Sequence, residues 1–318
     1  MRFVVATLIV LLMSSVAAAA SREPLLTEAS IPGATLRIEV QPPISDRKAA
    51  EIVTWLQSAS GNVSLAYGRF PSTSPRIVVI PTQDRSWGSD SPVPFGRLTR
   101  YGEDKIELYV NADRPIEDFY ADWTATHEFS HLMLPYLGGR HRWISEGFAS
   151  YYQNVLMSRA GRYTPQQAWQ KLYAGLERGR LSRPDLTLNE AADAGVRQAR
   201  MKIYWSGAAI ALLADLELRQ RSAGRESLDV ALDRLHQCCL PSRRTWSGPE
   251  LFAQLDKLVD GAVFMPLYER YADSRRFPNV APALKHIGVD SSEDSIRLLR
   301  DAPLAHIRDA ITDHRDHL

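Results

Sequence analysis

Hydrophobic and polar positions alternate with period two from Thr35 to Val40, and Arg76 to Ile80 is a short apolar run closed by Pro81, so both predict strands. Between them the spacing changes: Ala49, Val53 and Leu56 share one helical face, which predicts a helix over Asp46 to Ser58. Phe95 to Tyr101 and Lys105 to Val110 predict a hairpin around Gly102-Glu103-Asp104. From Ile116 onward the helical period dominates. Phe119, Trp123, His127 and His131 recur every four residues, and Pro165 to Glu177, Arg200 to Arg221 and Ser227 to His236 are the clearest later helices. Gly138-Gly139 is a natural stop for the helix that carries the stripe, and Ser145 to Met157 predicts a second helix that turns back against it. The expected class is therefore α+β, with a small mixed sheet in a lobe over residues 21–115 packed on a mainly helical lobe over residues 116–318 and a cleft between them.

The first twenty residues follow another logic. Arg2 precedes the apolar run Phe3 to Val16, and Ala17-Ala18-Ala19-Ala20 offers small residues for cleavage, so residues 1–20 are expected to be a signal peptide that sends the chain to the periplasm or out of the cell. An uncleaved anchor is the alternative. No later stretch approaches the roughly twenty apolar residues of a spanning helix, so no stable membrane insertion is expected after cleavage. Of the 318 residues 45% are hydrophobic and 24% charged, with a net charge of +1, which allows a large core and carries no bias towards nucleic acid or an anionic membrane. Cys238 and Cys239 are the two cysteines, and adjacent Cα atoms about 3.8 Å apart sit below the usual disulfide range. Two buried free thiols are the plain reading; a vicinal disulfide or a bond between chains is the sharper one.

The chemistry lies in His127-Glu128-Phe129-Ser130-His131. Two histidines four apart on a helix fall on one face and can grip one metal ion through ring nitrogens, and the glutamate beside them can take a proton from metal-activated water. Histidines buried on that stripe without a partner would cost stability, which zinc coordination offsets. Glu146, near the start of the returning helix, is brought back towards His131 and supplies a third ligand, leaving the fourth position open as in catalytic rather than structural zinc sites. His141, between Arg140 and Arg142, is the rival ligand. The histidine of the longer metzincin pattern would fall at position 137, which is Leu137.

These blocks resemble the gluzincin zinc metallopeptidases, and within them the glycyl aminopeptidase family and its shorter relatives. The likeness rests on the H-E-x-x-H pentapeptide, on Trp143-Ile144-Ser145-Glu146-Gly147-Phe148-Ala149-Ser150-Tyr151-Tyr152, and on Tyr204-Trp205-Ser206-Gly207-Ala208 running into the Ala211 to Arg219 helix. It covers about Trp123 to Leu235. The resemblance implies a thermolysin-like catalytic core that hydrolyses peptide bonds. It implies Zn2+ bound by His127, His131 and Glu146, Glu128 as general base, and Tyr204 as oxyanion donor. Without it, Tyr204 reads as an ordinary core aromatic. The strand from Gly96 to Arg100 becomes a candidate ledge for extended peptide substrate, or else a plain sheet edge. The spacer from His131 to Glu146 is shorter than in the larger relatives, no G-x-M-E-N exopeptidase motif is present, and too little chain follows Pro241 for the C-terminal PDZ module of many of them. A non-catalytic zinc-binding or interaction module on the same fold is the alternative function.

Overall fold

The computed structural model describes residues 23–83, 90–100, 102–291 and 295–315; the expected signal peptide and Tyr101 lie outside them. Strands β1 (Leu25–Ile31), β2 (Ala34–Val40), β3 (Arg76–Pro81), β4 (Phe95–Thr99) and β5 (Lys105–Val110) form one sheet in the order β1-β2-β3-β5-β4. The central strands β2, β3 and β5 are parallel, and β1 and β4 pair antiparallel at the edges. Strand β1 has no counterpart among the expected elements, because only Ala29 in it is buried and no alternation marks it. Helix α1 (Asp46–Ser64), longer than its expected span, starts where Ser45 Oγ accepts from the Lys48 N–H at 3.3 Å and lays Ile52, Leu56 and Val63 against the sheet. The opposite face is polar, with Arg76 paired to Glu39 at 2.6 Å and Lys105 to Glu107 at 2.8 Å.

The stripe expected as one helix is two, α2 (Ile116–Ala121) and α3 (Thr124–Ser130). Asp122 is extended at φ −81°, ψ 135°, and its carboxylate accepts from the Thr124 N–H at 2.7 Å, restarting the helix. Helix α3 then stops well before Gly138-Gly139, giving way to a tight turn over His131–Met133. Pro135 lacks the N–H that would bond the His131 carbonyl in a continuing helix; Arg100 supplies it, donating to the His131 and Leu134 carbonyls at 2.7 Å each. Helix α4 (Arg142–Arg159) begins three residues earlier than expected.

The rest is helical, as expected: α5 (Pro165–Leu181), α6 (Leu188–Ala194), α7 (Val196–Arg221), α8 (Leu228–Cys239), α9 (Gly248–Leu258), α10 (Phe264–Tyr271), α11 (Ala281–His286) and α12 (Ala305–Thr312), apart from the short antiparallel pair β6 (Val289–Asp290) and β7 (Arg297–Leu298). No helix among the described residues is long and apolar enough to cross a membrane. The architecture is α+β, and one continuous core runs from Leu36 under the sheet through Phe129 and Trp143 to Ile311.

Helices α4 and α7 cross backbone to backbone: a Cβ on Gly147 would fall 2.2 Å from the Gly207 carbonyl carbon, and one on Gly207 would fall 2.0 Å from the Trp143 carbonyl oxygen. Beyond the crossing lies a buried ionic knot. Arg159 clasps Asp229 at 2.9 and 3.1 Å, Arg219 bonds Asp215 at 2.9 Å, and the Tyr151 and Tyr152 hydroxyls donate to Asp215 and Asp229 at 2.7 and 2.9 Å. At the end of α8, Cys238 and Cys239 are bonded to each other with their Cα atoms 3.7 Å apart, so the vicinal bridge and not a pair of free thiols is what the fold holds.

Candidate metal centre

The crossing of α4 and α7 sets three side chains around α3. His127 and His131 project from α3 and its terminal turn, and Glu146 from α4 places its Oε2 3.4 Å from His127 Nε2 and 3.5 Å from His131 Nε2. Each ring is held from behind. His127 Nδ1 donates to the buried Gln153 Oε1 at 2.7 Å, and His131 Nδ1 lies 2.9 Å from Ser145 Oγ. With the proton on Nδ1, each lone pair on Nε2 is turned towards Glu146. Gln153 follows Glu146 by seven residues, two turns along the same face of α4, but a lone glutamine on a helix carries no signal that could have singled it out.

Whether this set suits a metal ion is decided by Glu146. Its Oε2 is buried and has no hydrogen-bond partner, although it faces two ring nitrogens. Such an atom is costly unless something else engages it. A tetrahedral zinc about 2.0–2.1 Å from its ligands separates them by roughly 3.3 Å, close to the spacings seen here. Donor atoms of His127, Glu128 and His131 also lie within 4.8 Å of one another. Glu146 is nonetheless the better third ligand, because Glu128 is engaged on its other side: it accepts from the Leu98 N–H of β4 and rests against Gly96, where a Cβ would approach its Cγ to 2.5 Å. The absence of a side chain at Gly96 is what lets the edge strand lie over Glu128.

Charge follows this geometry. Burial raises the Glu128 carboxyl to about 7, with His127 and the Leu98 N–H opposing and Glu146 assisting. Burial also pushes His131 down to about 4, whereas at His127 burial is outweighed by Glu146 and Glu128, which raise it. Glu146, which burial alone would raise, is held at about 2 by His131 and His127, with Tyr204 assisting. At His131 this leaves a neutral imidazole beside an ionised carboxylate, the state in which such groups ligate a divalent cation, while His127 would give up its proton on binding one.

Tyr204, one turn before the Gly207 contact on α7, stacks on His127 with ring centroids 5.8 Å apart and planes 6° apart. Burial, then Glu146 and Glu128, push its phenol well above the usual tyrosine range, so it is a hydrogen-bond donor here. His141, the rival ligand, is turned away: its Nε2 lies 3.2 Å from the Tyr268 hydroxyl on α10. Strand β4, the candidate ledge, is the sheet edge nearest Glu128. A shallow hollow of about 500 Å³ lined by Glu39, Arg76, Lys105 and Glu107 shares no residue with the donor cluster, and its four charges are already paired.

Glu146→Ala is expected to cost metal binding far more than His141→Ala, because two histidines alone leave too few protein donors. Metal content of the two purified variants checks this, and equal retention by Glu146→Ala and wild type would remove Glu146 from the ligand set.

Comparison with known proteins meets the resemblance read from the sequence. The profile of the M61 glycyl aminopeptidase family matches residues 137–210, an interval that contains Glu146 and Tyr204 and begins just after His131. No curated protein matches the sequence. Among solved structures, an aminopeptidase N family protein from Idiomarina loihiensis superposes at a TM-score of 0.62 with 14% identity, over 88% of this chain and 53% of that one. A two-domain M1 zinc metallopeptidase variant bound to L-arginine superposes at 0.54 with 14% identity, over 80% and 53%. An M1 zinc metallopeptidase variant from Deinococcus radiodurans, bound to a Tyr-Ser-Ala substrate, superposes at 0.50 with 14% identity, over 81% and 54%. The likeness shows a shared fold, and the chain spans about half the length of these structures.

Proposed function

We propose that this chain is a zinc-dependent peptidase of gluzincin type, in which His127, His131 and Glu146 hold the ion. The observation that carries this reading is the buried, unpartnered Glu146 Oε2 facing both Nε2 atoms, with Glu128 and Tyr204 beside it. The metallopeptidase neighbours support it, and the peptide seen in one of them supports a peptide as ligand.

Zinc, when bound, supplies the Lewis acidity that makes water a nucleophile near neutral pH and polarises the scissile carbonyl. Glu128, held by the Leu98 N–H, takes the proton of the attacking water and passes it to the departing amine. The Tyr204 phenol donates to the oxygen on which negative charge grows, a hydrogen bond that strengthens as the carbonyl becomes tetrahedral. Strand β4 offers its edge to an extended backbone. Export belongs to the same reading and rests on the apolar run from Phe3 to Val16; the N-terminal residue of the protein recovered from the periplasm or medium tests it.

Peptide-library cleavage before and after chelation, with zinc added back, tests the function. Zinc-restorable cleavage is expected; tight zinc binding without turnover would favour the non-catalytic module. Tyr204→Phe is expected to lower kcat by about tenfold or more with metal content and KM little changed, since it removes one donor to the developing charge. An unchanged kcat with a shifted melting temperature would return Tyr204 to the core.

A further inference from the structure

The stack that begins at His127 does not end at Tyr204. Arg200, one turn earlier on the same face of α7, sets its guanidinium carbon 5.6 Å from the Tyr204 ring centroid, on a ring that itself stacks on His127 at 5.8 Å. Cation, phenol and imidazole thus form three layers that lead from solvent to the donor cluster. Arg200 is exposed, and among the described residues it has neither a hydrogen-bond acceptor nor a carboxylate partner. Arg100, whose charge also reaches His131, is by contrast committed to the carbonyls that end α3. A guanidinium resting on an aromatic face keeps the N–H donors of its rim free, in the fork that matches a carboxylate.

We infer that Arg200 determines specificity by receiving a carboxylate of the substrate, so that the enzyme cleaves peptides carrying an anionic group close to the scissile bond. The inference rests on the peptidase reading and names its substrate class. Two stacking steps correspond to roughly three residues of extended chain. A peptide's C-terminal carboxylate and an Asp or Glu side chain near the cut both meet the requirement.

Matched peptide pairs separate the sources: one series compares a free C-terminal acid with its amide, and a second, all amidated, compares Asp or Glu with Asn or Gln at each position. Wild type is expected to favour the carboxylate member of one series by roughly fivefold or more in kcat/KM, chiefly through KM, with the preference shrinking as salt is raised. Arg200→Gln should level the pair at unchanged metal content, and Arg200→Lys should keep part of the preference. Equal preference in wild type and Arg200→Gln, or none in wild type, would overturn the assignment. The same pairs are titrated against zinc-loaded Glu128→Gln with and without Arg200→Gln, which reads the carboxylate preference as a ratio of Kd values without turnover. A preference that survives in binding and vanishes with Arg200→Gln, beside a wild type that cleaves nothing, would refute the peptidase reading and leave Arg200 in its role. Cleavage without preference would do the reverse.

Discussion

Glu128→Gln should retain its metal and lose hydrolysis by at least about a hundredfold, the usual cost of removing a general base. The amide has the shape of the carboxylate, still offers an oxygen to the Leu98 N–H, and fits beneath Gly96, so neither the sheet edge nor the donor cluster is disturbed. What it lacks is the capacity to accept the proton of the attacking water. Metal analysis and peptide cleavage on one preparation decide the matter: a metal-replete Glu128→Gln that turns over at the wild-type rate would end the mechanism proposed here.

Asp229→Asn should destabilise the fold by about 3–5 kcal/mol, the range for breaking a buried ion pair, and lower the melting temperature by roughly 10 °C. Burial alone would raise the Asp229 carboxyl, but Arg159, with Arg219 and Arg315 behind it, more than reverses that and holds it below its usual range. The asparagine leaves Arg159, itself fully buried, facing an amide. The pH dependence has a definite sign: a carboxyl depressed in the folded state contributes its full stability above the ordinary aspartate value near 4, and loses it as pH falls through the lower folded value. Acid titration of the melting temperature should show a wild-type decline in that window that is smaller in the variant. A variant that melts with wild type at neutral pH would show that the knot contributes nothing.

How much was legible depended on whether the information was local. The pairing of His127 with His131 is a property of four-residue spacing, and the return of Glu146 needs only a short connection, so the structure brings together residues that the chain keeps close. Tyr204 came from the resemblance; nothing in its own surroundings in the sequence distinguishes it from a core aromatic. The break at Asp122 was hidden because the apolar stripe continues across it with ring contact from Trp123 to His127 intact. The early end of α3 was written in Pro135, yet the glycines downstream drew the boundary away. Gln153 and Ser145 were missed, and Gly96 and Arg100 were read only as part of the candidate ledge, for a common reason. Each acts on a residue of another element through an atom that any polar or small residue could present, and only the packed chain shows where it points. Strand β1, largely exposed, left no periodic trace at all.

The contact between Gly147 and Gly207 sets how far a steric error travels. Gly147 is the next residue after Glu146, and Gly207 lies three after Tyr204, so the two helices that carry this carboxylate and this phenol are spaced by main chain alone. One carbon added at either glycine has no soft side chain to push aside; it must move a helix, and with it either Glu146 or Tyr204 relative to the histidines of α3. Variation at two positions with no chemistry of their own is therefore read out as a displaced donor cluster, in a chain whose sequence would still show every one of those donors intact.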